Sequence, residues 1–295
     1  MPVNQRHVIK PIEIARDVFS VIFDQAESPE SFLASNQGFV ILEDSVLLFD
    51  TGFSSRYARL LDIAISAITD KKIRYIVNSH DHSDHILGNS YFSKKYSTSG
   101  LSIISHELCA QIIRSIGTER IQKYKKSYNK LAPSLTSRVE IPNVTYESGF
   151  NLNIEGAKFV FIHPNNGAHT LGDTMLAMPH LGVILMGDVF VNSFFPNIED
   201  ANLEEWVRTL NLMDHTTYSK FLPGHGTVGG RAEVSRFADY LRDLSRRLLL
   251  LEEPDRAVIQ SCFETESTRN WSCRFLVHWN CDYLLGRSKS AITKV

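Results

Sequence analysis

The segment Asn78-Ser79-His80-Asp81-His82-Ser83-Asp84-His85 carries four potential metal ligands, His80, His82, Asp84 and His85, within six consecutive positions. Histidines two residues apart fall on different sides of a helix, so His80 and His82 converge only if they lie on a loop or extended segment. Asp84 and His85 point elsewhere again. One segment can therefore feed two neighbouring cation positions, with two imidazoles for the first and a carboxylate plus an imidazole for the second. Neutral imidazole combined with carboxylate suits zinc best, with iron or manganese also compatible.

Two or three ligands do not close a site, and the chain offers more in similar settings. His169 lies in the glycine-bracketed stretch Gly167-Ala168-His169-Thr170-Leu171-Gly172-Asp173-Thr174. Asp188 follows the apolar run Val183 to Met186, and His225 sits in Pro223-Gly224-His225-Gly226 after Phe221 and Leu222. A ligand is expected where each buried strand ends, on a rigid support. Asp173 reads as a hydrogen-bond acceptor that stabilises the His169 loop, and Asp81 as a loop or supporting residue. The other histidines (His7, His106, His163, His180, His215 and His278) have no converging partner in sequence and read as surface or hydrogen-bonded residues. Asn192, Tyr91 and Trp206 are candidates for a substrate pocket, with packing or surface roles as the alternative.

Elements must position these groups. Val18 to Phe23, Gly38 to Leu42 and Val46 to Phe49 are strand-like runs that open as a meander, and Ser54 or Ser55 can cap a helix reaching about Asp70. Ile73 to Val77 is the next strand, and Glu107 to Leu131 reads as helix. Strand signals return at Val144 to Tyr146, Phe150 to Ile154, Lys158 to Ile162, Thr174 to Ala177 and Val183 to Met186. Leu203 to Met213 and Ala232 to Leu251 are amphipathic helices with Phe221 and Leu222 as a short strand between them. Two strand-rich halves with flanking helices predict two sheets packed face to face with helices outside, in one composite domain. Beyond Pro254 the pattern weakens, and the tail reads as a helical appendage or a lid.

Composition sets the limits. The 295 residues are 43% hydrophobic and 22% charged with a net charge of -2, so disorder, collagen-like repeats and coiled coil are poor readings. Without a basic excess there is no electrostatic case for nucleic acid or an anionic membrane, and a small-molecule substrate is the default. No apolar run approaches the ~20 residues that span a bilayer. The first thirty residues lack the apolar block of a secretory signal, which makes the cytoplasm the expected location. Cys109, Cys262, Cys273 and Cys281 contain no CxxC pair and are expected to be reduced and mostly buried. The cluster Lys123, Lys125, Lys126 and Lys130 is either a solvated helix face or a rim that attracts an anion. The aromatic tail around Trp271, Phe275, Trp279 and Tyr283 could be a contact in a homo-oligomer.

Taken together, the order and context of the ligand segments resemble the metallo-β-lactamase superfamily over about residues 12 to 230. Its HxHxDH pattern is matched by His80, His82, Asp84 and His85. Its later histidine, bridging aspartate and final histidine are matched by His169, Asp188 and His225. The resemblance implies an α+β four-layer αββα sandwich with the site at one edge of the sheets; the chain is expected to divide into a catalytic domain over 1–230 and a helical extension, 231–295, packed on it. The resemblance also implies two divalent metal ions, the first held by His80, His82 and His169 and the second by Asp84, His85 and His225, with Asp188 between them. In such a site a bridging hydroxide attacks an ester, lactone, thioester, amide or related bond, with Asp84 and Asp188 as the catalytic carboxylates. Asp50-Thr51-Gly52 corresponds to the turn that supports the metal loop. Asp188 stands where true zinc β-lactamases generally carry a cysteine or lack a bridging carboxylate, so the resemblance is to the bridging-aspartate members. Two alternatives remain open: a mononuclear iron dioxygenase of the persulfide dioxygenase type, using His80, His169 and Asp188, and an RNase Z-like phosphodiesterase.

Overall fold

The strand-forming runs pair into two mixed sheets. The computed structural model describes residues 10–22, 34–127, 138–252 and 255–286. The first sheet contains β1 (Ile12–Ala15), β2 (Val18–Val21), β3 (Gln37–Ile41), β4 (Ser45–Phe49), β5 (Lys72–Val77), β6 (Ser102–His106) and β7 (Val144–Tyr146), ordered as in the chain. Its first four strands form the antiparallel meander, and β4 to β7 run parallel. The second sheet contains β8 (Phe150–Ile154), β9 (Ala157–Ile162), β10 (Met175–Met178), β11 (Val183–Asn192) and β12 (Lys220–Gly226), with only the β11–β12 pair parallel.

The two sheets bury their facing sides against each other. Val40, Leu47, Phe49 and Val77 of the first meet Phe159, Phe161, Leu176, Leu185 and Leu222 of the second in one cluster. The outer face of the first sheet is covered by α1 (Ser55–Ser66) and α3 (Asn89–Lys95) through Ala58, Leu61, Ile65 and Phe92. On the second sheet the cover is α5 (Leu203–Met213), α6 (Arg231–Leu249), α7 (Arg256–Phe263) and α8 (Phe275–Gly286), around Trp206, Phe237, Leu241 and Val277. The short α2 (Ser83–Ile86) and α4 (Glu107–Ser127) share a smaller cluster of Ile86, Leu87, Cys109 and Ile113. Helix, sheet, sheet, helix is the predicted four-layer order.

Local chemistry explains several boundaries. Ser54 caps α1 by accepting from the Tyr57 N–H, as its position in the sequence predicts. The expected helix to Asp70 stops at Ser66. The four cysteines are free, and Cys109, Cys262 and Cys281 are buried. Phe23, His7 and Lys130, and the end of the expected Glu107 to Leu131 helix, lie outside the described residues. Among the described residues no helix is long and apolar enough to cross a membrane.

Candidate metal centre

Each ligand-type side chain is delivered by backbone that the two sheets fix. β5 ends at Val77 and the chain turns at once through Asn78 to His80, so the HxHxDH segment leaves the first sheet as a loop and enters α2 at Ser83. His82, Asp84 and His85 follow from that loop and helix. The second sheet contributes His169 from the loop before β10, and Asp188 and His225 from within β11 and β12 rather than beyond their ends. β11 continues to Asn192, but its register with β12 slips on both sides of Gly187. That irregularity presents Asp188 at the seam between the sheets. Gly187 has φ +54, and a Cβ there would lie 2.5 Å from the Ser79 Cβ, so only glycine lets the two segments meet.

The side chains gather into two groups, His80, His82, His169 and Asp188, and Asp84, His85 and His225, each with ligand atoms within 4.8 Å of one another. His82 Nδ1 lies 3.0 Å from His169 Nε2, and His169 Nε2 lies 3.6 Å from Asp188 Oδ2. In the second group His225 Nε2 is 3.1 Å from Asp84 Oδ2 and 3.6 Å from Asp188 Oδ2, while His85 Nε2 is 3.4 Å from Asp84 Oδ2 and 3.2 Å from Asp188 Oδ1. Asp188 thus stands against both groups. His80 Nε2 is buried without a hydrogen-bond partner among the described residues, while His85 Nε2 and Asp188 Oδ1, 3.2 Å apart, face each other and the neighbouring carboxylate and imidazole groups. Imidazole nitrogens and carboxylate oxygens of this kind, converging from seven side chains, fit a divalent cation site made of imidazole and carboxylate.

A surrounding layer fixes how these groups point. Asp50, wholly buried at φ +62, accepts from the Ser79 N–H at 2.8 Å and from Ser79 Oγ at 2.7 Å, and lies 2.8 Å from His85 Nδ1. With Nδ1 so engaged, His85 turns Nε2 to the site. Thr51 donates through both N–H and Oγ1 to the His85 carbonyl, so the Asp50-Thr51 turn supports the loop as expected. Asp173 accepts from the backbone of Ala168, His169 and Thr170 and from the Thr170 hydroxyl, which is the predicted loop-stabilising role. Burial pushes its carboxyl up to about 7. Asp81 pairs with Arg120 of α4 at 2.9 Å.

Asp200 is the residue that sequence reading missed. Its Oδ2 lies 3.1 Å from His82 Nε2, which leaves Nδ1 to face the other ligands. That hydrogen bond brings Asp200 down to about 2. No local signal marks it, because its partner is distant in the chain. Asn36 is another: its N–H donates to the Gly224 carbonyl, and its Nδ2 donates to the carbonyls of Pro223 and Gly226. These three bonds hold the backbone on both sides of His225.

The site is electrostatically divided. Burial, reinforced by neighbouring imidazoles, holds His80 well below its usual range, and burial brings His169 down to about 3. Burial also disfavours charge on His85, but Asp84, Asp188 and Asp50 outweigh it and hold that imidazole well above its usual range. Asp84 is buried too, yet His85 and His225 keep it well below the ordinary carboxylate value.

Five of the seven, His82, Asp84, His169, Asp188 and His225, form the floor of a cavity of about 360 Å³. Phe194, stacked on the His225 ring at 4.6 Å, walls one side. Of the pocket candidates, Trp206 touches the cavity but is fully buried, its Nε1 donating to the Val189 carbonyl. Tyr91 instead donates to Asp62 at 2.8 Å, and Asn192 donates to the Thr227 carbonyl away from the floor. His163 stacks on His106 at 3.6 Å, and His180, His215 and His278 are exposed.

Residues 31–225, which contain every ligand segment, match the family model of the metallo-beta-lactamase superfamily. The chain belongs to this superfamily. A relative is the linear primary-alkylsulfatase of Pseudomonas sp. (strain ATCC 19151), 24% identical over 229 residues, or 68% of this chain and 43% of that protein. The superfamily member described here therefore spans less than half the length of that relative. Among solved structures, a metallo-beta-lactamase from Pontibacter korlensis superposes with a TM-score of 0.63 at 18% identity, covering 80% of this chain and 99% of the other. The inverting sec-alkylsulfatase Pisa1 from Pseudomonas sp. superposes at 0.69 with 16% identity, covering 94% of this chain and 50% of the other. At these identities the likeness is one of fold.

Proposed function

We propose that this superfamily member is a metal-dependent hydrolase of ester-type bonds in small molecules, working with two divalent cations, zinc being the best match to the donors. The observation that carries this reading is the convergence of seven imidazole and carboxylate side chains into two groups, five of which, His82, Asp84, His169, Asp188 and His225, line an open cavity, with His80 Nε2 buried without a hydrogen-bond partner among the described residues. His80, His82 and His169 would hold one cation and Asp84, His85 and His225 the other, with Asp188 shared. Bound there, the cations supply Lewis acidity: they polarise an ester oxygen and make water acidic enough to attack at neutral pH.

The chain's own groups do the rest. Asp200 and Asp50 fix which ring nitrogens of His82 and His85 are offered. Asp84, which lines the cavity beside His225, can orient the attacking water and take its proton. Phe194 shields His225 and keeps bulk water from that side. A mononuclear iron oxygenase built on His80, His169 and Asp188 would leave Asp84, His85 and His225 without a role. The names of two of the relatives bring sulfate esters into consideration alongside carboxylic esters, lactones and thioesters.

Metal analysis of purified protein, followed by a panel of thioesters, lactones, carboxylic esters, alkyl sulfates, phosphodiesters and β-lactams, tests the proposal. About two zinc per chain with hydrolysis of one class is expected. One iron with oxygen consumption would replace the reading with the oxygenase. Asp188→Ala is expected to abolish most turnover while leaving the circular dichroism spectrum unchanged, and undiminished hydrolysis by that variant would falsify the shared-carboxylate mechanism.

A further inference from the structure

The cavity has a second half that the ligand set does not explain. Above the floor one side of its wall is apolar, with Ile116 of α4, Phe195 and Pro196 of the segment after β11, and Leu276 and Trp279 of α8, while Glu119, Arg120, Lys123 and Glu199 line the other parts. The two α8 residues lie outside the span that matches the family model. They are held in place by specific bonds. Asn280, wholly buried, accepts from the Ile198 N–H at 3.1 Å and donates to the Pro196 carbonyl at 2.8 Å. Trp279 Nε1 donates to Glu199 at 3.0 Å. The indole is therefore anchored by its edge, and the Lys123 ammonium lies 5.7 Å from its ring centroid at the cavity mouth. Ile116 is 39% exposed although it belongs to a cavity wall, an apolar surface that an occupant would cover.

We propose that Leu276, Trp279 and Ile116 form a specificity slot for an uncharged apolar arm of the substrate, making the C-terminal helix the element that selects which ester is cleaved. The inference rests on the hydrolase reading for the position of the scissile bond, which must lie at the floor between His82, Asp84 and His225. From there the lining divides into a polar side, where Arg120 is paired with Asp81 and Glu199 with the Trp279 indole, and an apolar side of Ile116, Leu276 and Trp279 against which an uncharged arm can lie. An engineered cavity of ~150 Å³ takes a benzene, so a cavity of 360 Å³ that also houses the ester group leaves room for an arm of about six to eight carbons. Because the slot is open to solvent at Lys123, longer arms gain nothing more: their extra methylenes remain in water.

The test is a series of p-nitrophenyl esters from acetate to dodecanoate with zinc-loaded protein, paired with fluorescence titration of the metal-free protein by 1-octanol. kcat/KM is expected to rise about three- to fourfold per methylene up to six to eight carbons and then level off. Trp279→Ala and Leu276→Ala are each expected to flatten that rise at least tenfold between acetate and hexanoate, chiefly through KM, with Trp279→Phe restoring most of it. Saturable quenching by octanol, lost in Leu276→Ala, which keeps the Trp279 indole as reporter, is expected without metal. Ester hydrolysis that is indifferent to chain length, with no octanol binding, would overturn the slot and leave the hydrolase reading standing. Leu276-dependent octanol binding in a protein that cleaves none of the panel would overturn the hydrolase reading and leave the slot standing. If an α8 variant misfolds, Ile116→Ala supplies the same comparison from the opposite wall.

Discussion

At the scale of single residues, the Asp200 carboxylate and the Asn36 amide set the aim of the side chains and backbone around the candidate metal centre. His80, His82, Asp84 and His85 reveal themselves because four donors crowd into one short segment, and His169 and His225 because glycines bracket them. Asp200 and Asn36 carry no such mark: their chemistry arises only when distant segments meet. Asp200 nonetheless decides which nitrogen His82 presents, since the carboxylate 3.1 Å from Nε2 holds the proton there. Asp200→Ala is expected to weaken zinc binding by about 10- to 100-fold, the usual cost of losing a residue that orients a ligand. Competition with a chromophoric chelator measures this, and unchanged affinity would mean that His82 is held by its backbone alone.

At the scale of elements, most strands and helices were foreseen within a few residues, and the misses have physical causes. β6 reads Ser-Ile-Ile-Ser-His, five residues between two helical stretches with no alternation of apolar and polar side chains to mark a strand. β11 reads as ending at Met186 because glycine and aspartate normally break a strand, whereas here they form an irregularity inside a longer one. The tail reads as a helical appendage without bounds: α7 is only eight residues long, and α8 is packed by several neighbours and carries no clean stripe.

One cross-sheet contact between elements also predicts a pH response. His106 closes β6 and His163 follows β9, so their stacked rings, 3.6 Å apart, clasp one sheet to the other. His106 Nε2 donates to the Glu147 carbonyl and His163 Nδ1 to the Asp173 carbonyl, with the Tyr146 ring edge-on to His106. Burial, and then His106, depress the His163 imidazole. A depressed histidine contributes stability that is present above its unfolded value of ~6.5 and lost as pH falls through its folded value. Urea midpoints of metal-free protein from pH 8 to 5 are therefore expected to fall less steeply in His163→Gln than in the wild type. Parallel curves would assign the acid response to other groups.

At the scale of the whole molecule, the four-layer order followed from two strand-rich halves and flanking helices, because each amphipathic element has only one way to bury its apolar side. What the sequence could not show is that the candidate ligands divide between the sheets: His80, His82, Asp84 and His85 from the first, His169, Asp188 and His225 from the second. Any cation bound there joins the two halves of the sandwich. Saturating zinc, at about a thousandfold its dissociation constant, would add ~4 kcal/mol by mass action, a rise of roughly ten degrees in Tm for a domain of this size. Differential scanning calorimetry with zinc and with chelator checks it, and coincident transitions would exclude a cation that spans the seam.

The Asn36 bonds to Pro223, Gly224 and Gly226 link positions separated by 187 to 190 residues. Loops of that size close late, after local hairpins and helices have formed. A refolding chain should consequently recover its secondary structure well before it acquires any capacity to capture zinc. The interval between those two events would be a clock for the moment at which the amino-terminal meander finally docks beside the last ligand.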